Sequence, residues 1–336
     1  MTRRFCTLFD SNYVFKAVAM HRSLLRACPS FELTAFCFDD AAKELVDRLE
    51  LSGLTTVALA ELEAFDQELL STKDDRTPLE YCWTATPALP LYVFGTRPEV
   101  DEITYLDADL LFFSDPETLF EEMGDASVLI TPHRFAPEFA DQEMNGIYNV
   151  QFLTFRRDER GLAALNWWHD RCIEWCYYRL EDGKLGDQKY LDDWPERFEG
   201  VHVLRHKGGG LAPWNITQYE VRGGAGRVVV DDDPLVFFHY HRVRLLDDGR
   251  YDWAPPGYRI TRRNRRLVYD PYLGALDEAR AIVRDVDPEF RAGLAPGLTR
   301  QERLHQRRLE LGALAAEQLP WLVRLRHPRL LSRERG

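Results

Sequence analysis

Three short apolar runs alternate with helical stretches at the start of this chain, and no other feature narrows its fold as far. "RFCTLFD" reads as a strand that ends in Asp10. "NYVFKAVAMHRSLLRAC" follows, with Val14, Val18 and Leu25 at helical spacing and Pro29 closing the segment. "FELTAFCF" and "LTTVALA" repeat the strand pattern, each followed by a helical stretch, "AAKELVDRLEL" and "ELEAFDQELL". A β-α-β-α-β start requires right-handed crossovers and therefore a parallel sheet. Such sheets bind ligands beyond the carboxyl ends of their strands. Asp10, Ser11, Asn12 and Tyr13 stand at the first of those ends.

The rest of the chain continues the pattern. "TPALPLYVF" reads as a helix leading into the strand "EITYLDADLLFF". "ASVLITP" and "YNVQFLTFRR" read as strands, and "ERGLAALNWWHDRCIEWCYYRL" as a long aromatic helix. "GRVVVDDDPLVFFHYHRVRLL" reads as two strands around an Asp-Pro turn, which makes Asp231–Asp233 a turn and not a metal site. The expected fold class is α/β, a mixed but mainly parallel sheet with flanking helices. The pattern breaks near "DWAPPGYRITRRNRR". We place a catalytic domain at 1–255 and an Arg-rich helical extension at 256–336.

With 336 residues, 45% of them hydrophobic, the chain can bury a large core without disulfides. Its six scattered cysteines are read as reduced, as in a cytoplasmic protein, and Cys172 and Cys176 as a helical pair of small core residues. The net charge of −12 argues against nucleic acid as a partner. The charge is uneven: residues 257–336 hold 17 Arg, no Lys and 10 acids, a balance of +7 that leaves −19 on the remainder. No signal peptide is evident, and no apolar run approaches the roughly 18 residues of a membrane span.

The sharpest chemical signal is "YLDADLLFF", an apolar strand carrying Asp107 and Asp109. Alternate positions of a strand point to one face. Two carboxylates there repel unless a divalent cation neutralises them, with oxygen ligands at about 2.0–2.6 Å. The alternative is that the strand exits to solvent and the acids are surface caps. An apolar strand ending in Asp-x-Asp is also the first motif of haloacid-dehalogenase-type phosphatases. That motif lies near a chain start and pairs with a late acidic cluster, neither of which is evident here.

With these residues assembled, the chain resembles nucleotide-sugar glycosyltransferases of the GT-A fold, most closely the retaining, family 8-like group. The similarity spans roughly residues 5–245 and keeps the family's order. It rests on "FDSNYVFKAVAMHRSLL", "EITYLDADLLFFSDPETLF", "NGIYNVQFLTFRRDE", "GDQKYLDDW", and "LAPWN" followed by "LVFFHYHR". The resemblance implies an enzyme that moves a hexose-type sugar from an NDP-sugar, with UDP as the expected nucleotide, to a glycan or lipid-linked acceptor. It implies Mn²⁺ or Mg²⁺ held by Asp107, Asp109 and His239, with His241 and His206 as rival third ligands. Asp10, Asn12 and Tyr13 would hold base and ribose, Asn149 and Gln151 the donor sugar or acceptor, and Asp187 and Gln188 the reacting face.

Two departures stand out. The family's H-x-x-G-x-x-K-P-W is replaced after His239 by "YHRVRLL", so Arg242 or Arg244 would supply the positive charge. His206, Gly209, Ala212, Pro213 and Trp214 keep that spacing earlier, with Ala in place of Lys. The donor-side Arg expected upstream of the Asp pair is missing, since no Arg or Lys lies between Thr77 and Thr96. In the tail, Trp321, Leu322, Val323 and Leu325 among arginines read either as a contact with the inner face of the membrane or as a helix packed on the acidic domain. A non-catalytic sugar-nucleotide binder on the same fold is the alternative function.

Overall fold

The computed structural model describes residues 2–224, 227–253 and 257–304. The first five expected elements form as read: β1 (Arg3–Phe9), α1 (Val14–Ala27), β2 (Phe31–Cys37), α2 (Asp40–Arg48) and β3 (Leu54–Ala58). Four more strands complete the central region: β4 (Glu102–Leu106), β5 (Leu110–Phe112), β6 (Val128–Pro132) and β7 (Tyr148–Arg156). With β8 (Val201–Val203), the main sheet has the order β3-β2-β1-β4-β7-β6-β8. Only β7 runs against the others. The architecture is α/β, with a mainly parallel sheet and flanking helices.

That order fixes where a ligand can sit. The chain builds outward from β1 to β2 and β3, then returns to place β4 on the other side of β1. Crossovers on the two sides diverge there, which opens a crevice beyond the carboxyl ends of β1 and β4. Asp10–Tyr13 follow β1, and Asp107–Asp109 follow β4.

The strand expected over 102–113 divides in two. β4 stops at Leu106, Asp107–Asp109 make a turn, and β5 resumes at Leu110. The turn changes partners. Asp107 N still donates to Gln151 O of β7 at 3.1 Å, whereas Tyr240 N donates to Asp109 O at 3.0 Å. β5 then pairs antiparallel with the strand Phe237–His239, Leu110 opposite His239. The segment 227–246 also differs from a simple hairpin. Arg227–Val230 pairs with Val221–Gly224 and briefly with Asp233–Pro234, while Phe237–His239 goes to β5. Asp231 sits in the turn at φ +55°, with Lys207 Nζ donating to its carboxylate at 2.7 Å.

α1 is buried on nearly every side, because the helix Asp270–Val286 covers the face turned away from the sheet. Val14 and Val18 share one apolar cluster with Tyr272, Leu276, Ala279 and Val283. Tyr272 stacks on Tyr240 at 3.7 Å, and Phe15 meets Phe290 edge-on at 5.5 Å. Fully burying a side chain such as Val18 or Leu276 contributes about 1.5–3 kcal/mol. Residues 262–286 are helical, and Leu294–Ala295 adds a short parallel pairing to Arg244–Leu246.

All six cysteines are free. Cys172 and Cys176 are both buried, but the helix Glu159–Glu174 ends between them, so they are not one turn of a single helix. Among the described residues no helix is long and apolar enough to cross a membrane. Trp321, Leu322, Val323 and Leu325 lie outside the described residues.

Candidate active site and metal centre

The turn after β4 and the end of the strand Phe237–His239 bring three potential ligands together. One ligand atom each from Asp107, Asp109 and His239 lies within 4.8 Å of the others. His239 Nε2 stands 3.1 Å from Asp109 Oδ1 and 3.7 Å from Asp107 Oδ2. The other ring nitrogen, Nδ1, lies 2.7 Å from Gln151 Oε1 of β7. An amide oxygen only accepts, so Nδ1 carries the proton and Nε2 is turned to the carboxylates.

The electrostatics of the two acids differ. Burial pushes the Asp107 carboxyl up, and the neighbouring Asp109 adds to the effect; Tyr105 donates to Asp107 Oδ1 at 2.9 Å. Burial acts the same way on Asp109, but the His239 imidazole and the Lys16 ammonium outweigh it and hold that carboxyl well below the usual range. His239 shows the reciprocal balance. Burial works to lower it, and the two carboxylates raise it above the ordinary histidine value. A proton on Nε2 therefore serves as counter-charge in the same place where a neutral nitrogen would meet a cation. Two carboxylates and one imidazole form a donor set suited to a hard divalent ion such as Mn²⁺ or Mg²⁺.

A second layer sets these groups. Gln151 is fully buried, and its backbone N donates to Asn149 Oδ1 at 2.8 Å. Asn149 Nδ2 lies 2.8 Å from His133 Nε2, and burial pushes His133 down to about 3, which keeps it neutral. Trp214 packs its ring edge-on to His239 at 5.3 Å and donates from Nε1 to His133 O. Asn215 Nδ2 bridges His133 O and Gly210 O at 2.8 and 2.9 Å. The "WN" of the sequence thus braces the wall behind His239.

Of the rival histidines, neither belongs to that three-residue group, although the ring of His241 lies 6.1 Å from that of His239. His241 packs against Trp214 at 5.8 Å and is pushed down to about 4 by burial and by the neighbouring His239. His206 lies in the loop bound by Glu122, which accepts its backbone N–H at 2.8 Å, while Arg134 donates to its carbonyl. Arg242 is exposed at φ +62°, and Arg244 pairs with Asp252 and Glu302.

Around the crevice, Asp10 caps the turn into α1 by accepting Asn12 N at 3.0 Å, and its other oxygen accepts Asn12 Nδ2 at 2.9 Å. Tyr13 is 41% exposed, with the Lys16 ammonium over one face of its ring at 4.1 Å. Asp187 is buried; burial pushes its carboxyl up to about 7, and the charge of Asp107 adds to this. Trp168 Nε1 donates to Asp187 O at 2.9 Å, and Gln188 Nε2 donates to Asn145 O at 3.0 Å.

Two Bacillus subtilis (strain 168) proteins match almost end to end. The uncharacterized protein YfnD is 34% identical over 301 residues, covering 88% of this chain and 95% of YfnD. The uncharacterized protein YfnF is 31% identical over 298 residues, covering 86% and 97%. The chain belongs to the family of YfnD and YfnF. No protein-family model matches it. Among solved structures, the galactosyltransferase LgtC with donor and acceptor sugar analogs covers 89% of this chain and 99% of its own at 13% identity and a TM-score of 0.49. Mouse xyloside xylosyltransferase 1 covers 63% and 87% at 16% identity and a TM-score of 0.43. Likenesses of this size decide nothing about activity, which the site's own residues must carry.

In this YfnD/YfnF-family chain one charged residue at the site escaped the reading of the sequence. Lys16, on the first turn of α1, places Nζ 3.8 Å from Asp109 Oδ2 and 4.1 Å over the ring of Tyr13. Its one visible signal is a lysine three residues after Tyr13 in an otherwise apolar helix start.

Proposed function

We propose that this chain is a metal-dependent glycosyltransferase that moves a sugar from an NDP-sugar to a hydroxyl of a glycan or lipid-linked acceptor. The observation that carries this reading is the convergence of Asp107, Asp109 and His239 beside the crevice between β1 and β4. UDP as nucleotide, a hexose as the sugar and retention of configuration follow from the family 8-like resemblance. Contact of the +7 tail with an anionic membrane face would bring the enzyme to a lipid-linked acceptor.

Asp107, Asp109 and His239 would hold the divalent ion, with Gln151 fixing the ring of His239. That ion supplies Lewis-acid stabilisation of charge on the departing diphosphate. Tyr13 offers its ring to the base, and Asp10 and Asn12 offer carboxylate and amide groups to base and ribose. Asp187, whose carboxyl titrates near neutrality, can accept or donate a hydrogen bond at the reacting face. Gln188, on the adjoining turn, faces the segment around Asn145 that would border the acceptor. The buried wall of His133, Asn149, Gln151 and Trp214 excludes water from one side.

A thermal-shift screen of NDP-sugars with and without Mn²⁺ tests the reading. A cognate donor at about 100 times its Kd adds about 2.7 kcal/mol of stability. The expected result is stabilisation by one nucleotide series that needs the metal, followed by release of free nucleotide on incubation. Stabilisation without turnover on any acceptor or water would favour a binding protein. No response to any NDP-sugar would overturn the proposal.

A further inference from the structure

Lys16 is hard to explain by folding alone. The residue is 7% exposed, so most of its side chain lies out of water. Among the described residues the only carboxylate within 4 Å, Asp109 Oδ2, stands at 3.8 Å, beyond hydrogen-bond length. No other acceptor among the described residues bonds Nζ, and its remaining close neighbour is the π face of Tyr13. A largely enclosed ammonium with three donors and no close acceptor among the described residues is costly. The position adds a second cost. Lys16 lies in the first turn of α1, which contains no acidic residue, and a cation there opposes the helix dipole.

Three facts together point to an anion that the folded chain does not itself supply. The ammonium lies between the ring offered to a base and a carboxylate of the metal site. The helix that carries it starts at the crevice. Of the cations expected elsewhere, there is no Arg or Lys from Thr77 to Thr96, Arg244 is paired with Asp252 and Glu302, and Arg242 is exposed on a turn at φ +62°. We infer that Lys16 is the diphosphate-binding cation of this site, contacting phosphate oxygens of a bound nucleoside diphosphate between the base at Tyr13 and the metal at Asp109. This rests on the nucleotide-sugar reading above. A divalent ion on Asp109 would repel the ammonium from that carboxylate and leave it free for the phosphates.

The test uses the full chain and calorimetric titration of UDP, GDP, ADP, CDP and dTDP in excess Mn²⁺, with Mn²⁺ alone titrated separately. Wild type is compared with Lys16→Met, Lys16→Gln and Lys16→Arg, each confirmed folded by its melting transition. Lys16→Met and Lys16→Gln are expected to weaken the preferred diphosphate by about 10–100-fold, the scale of one charge-assisted contact. Mn²⁺ alone should bind as well or better, and Lys16→Arg should recover much of the loss. Diphosphate affinity within twofold of wild type in Lys16→Met and Lys16→Gln would overturn the assignment. So would a parallel loss of Mn²⁺, because the lysine would then merely hold Asp109 in place. If wild type binds none of the five, the transferase reading falls and takes this assignment with it.

Discussion

Among the described residues, two histidine–carboxylate clusters present ligand atoms within metal-binding reach of one another, and they are built in opposite ways. One is Asp107–Asp109–His239; the other is Glu68–His169–Asp170, far along the chain on the helical side. In the first, a neutral amide oxygen of Gln151 holds the distal nitrogen of the histidine, so the proximal nitrogen faces two carboxylates. In the second, Nε2 of His169 is already taken by Asp66 at 2.6 Å. Asp66 is itself committed, since it caps the helix Gln67–Ser71 by accepting Leu69 N at 2.9 Å. Glu68 and Asp170 are exposed. Proximity of ligand-type atoms is common to both. What separates a binding site from a structural clip is whether the surrounding groups leave the ligand lone pairs uncommitted.

The strongest way to break this contrast is to remove one acid from the first cluster and the histidine from the second. Asp109→Ala is expected to lower Mn²⁺-dependent transfer on the order of a thousandfold, the size of several kcal/mol of lost charge stabilisation. His169→Ala should leave transfer within about threefold. Both are read as nucleotide released per enzyme, on variants that retain a cooperative melt. The opposite pattern would move the metal to the second cluster. A smaller effect sharpens the role of the second layer. Gln151→Leu removes the acceptor at Nδ1 while leaving all three ligands, and Mn²⁺ affinity should fall by about 10–100-fold. Asp66→Asn, the corresponding change beside His169, should leave Mn²⁺ affinity untouched. Titration of the two variants with Mn²⁺ decides between orientation and mere proximity.

The same contrast explains what was readable beforehand. The alternation of apolar runs fixed the parallel half of the sheet, because β1 to β3 are ordered by local patterning and short crossovers. Asp107 and Asp109 were visible as acids out of place in an apolar stretch. Their break between β4 and β5 was not, because it depends on pairing with residues 237–239, well over a hundred positions away. Spacing favours His206 and the order of motifs favours His239; the antiparallel register that sets His239 opposite Leu110 is what groups it with Asp107 and Asp109. Gln151 is legible in the sequence as a contact for donor sugar or acceptor, and Lys16 as no contact at all. Only the tertiary structure shows that Gln151 holds the imidazole of His239 and that Lys16 is enclosed beside Asp109 and Tyr13.

The smallest expected effect concerns the clip itself, and it is read as stability, not activity. Burial lowers His169, but the carboxylate of Asp66 and then that of Asp170 more than compensate, so the folded-state value lies above the ordinary 6.5. The folded chain therefore holds this proton more tightly than the unfolded chain. Stability from His169 is fully present below 6.5 and fades as pH rises through the raised folded value. Asp66 behaves in the mirror sense: burial raises its carboxyl, yet the hydrogen bond from His169 and that from Leu69 N bring it below the ordinary 3.8. Its contribution is present above 3.8 and is lost as pH falls through the lowered folded value. The pair is thus at full strength between 3.8 and 6.5. Melting temperatures taken from pH 5 to pH 9 should fall more for wild type than for His169→Gln, by a few degrees at most for one partly buried pair. Parallel curves would mean that His169 is neutral throughout, and the second cluster would then be a hydrogen-bonded clip with no ionic part.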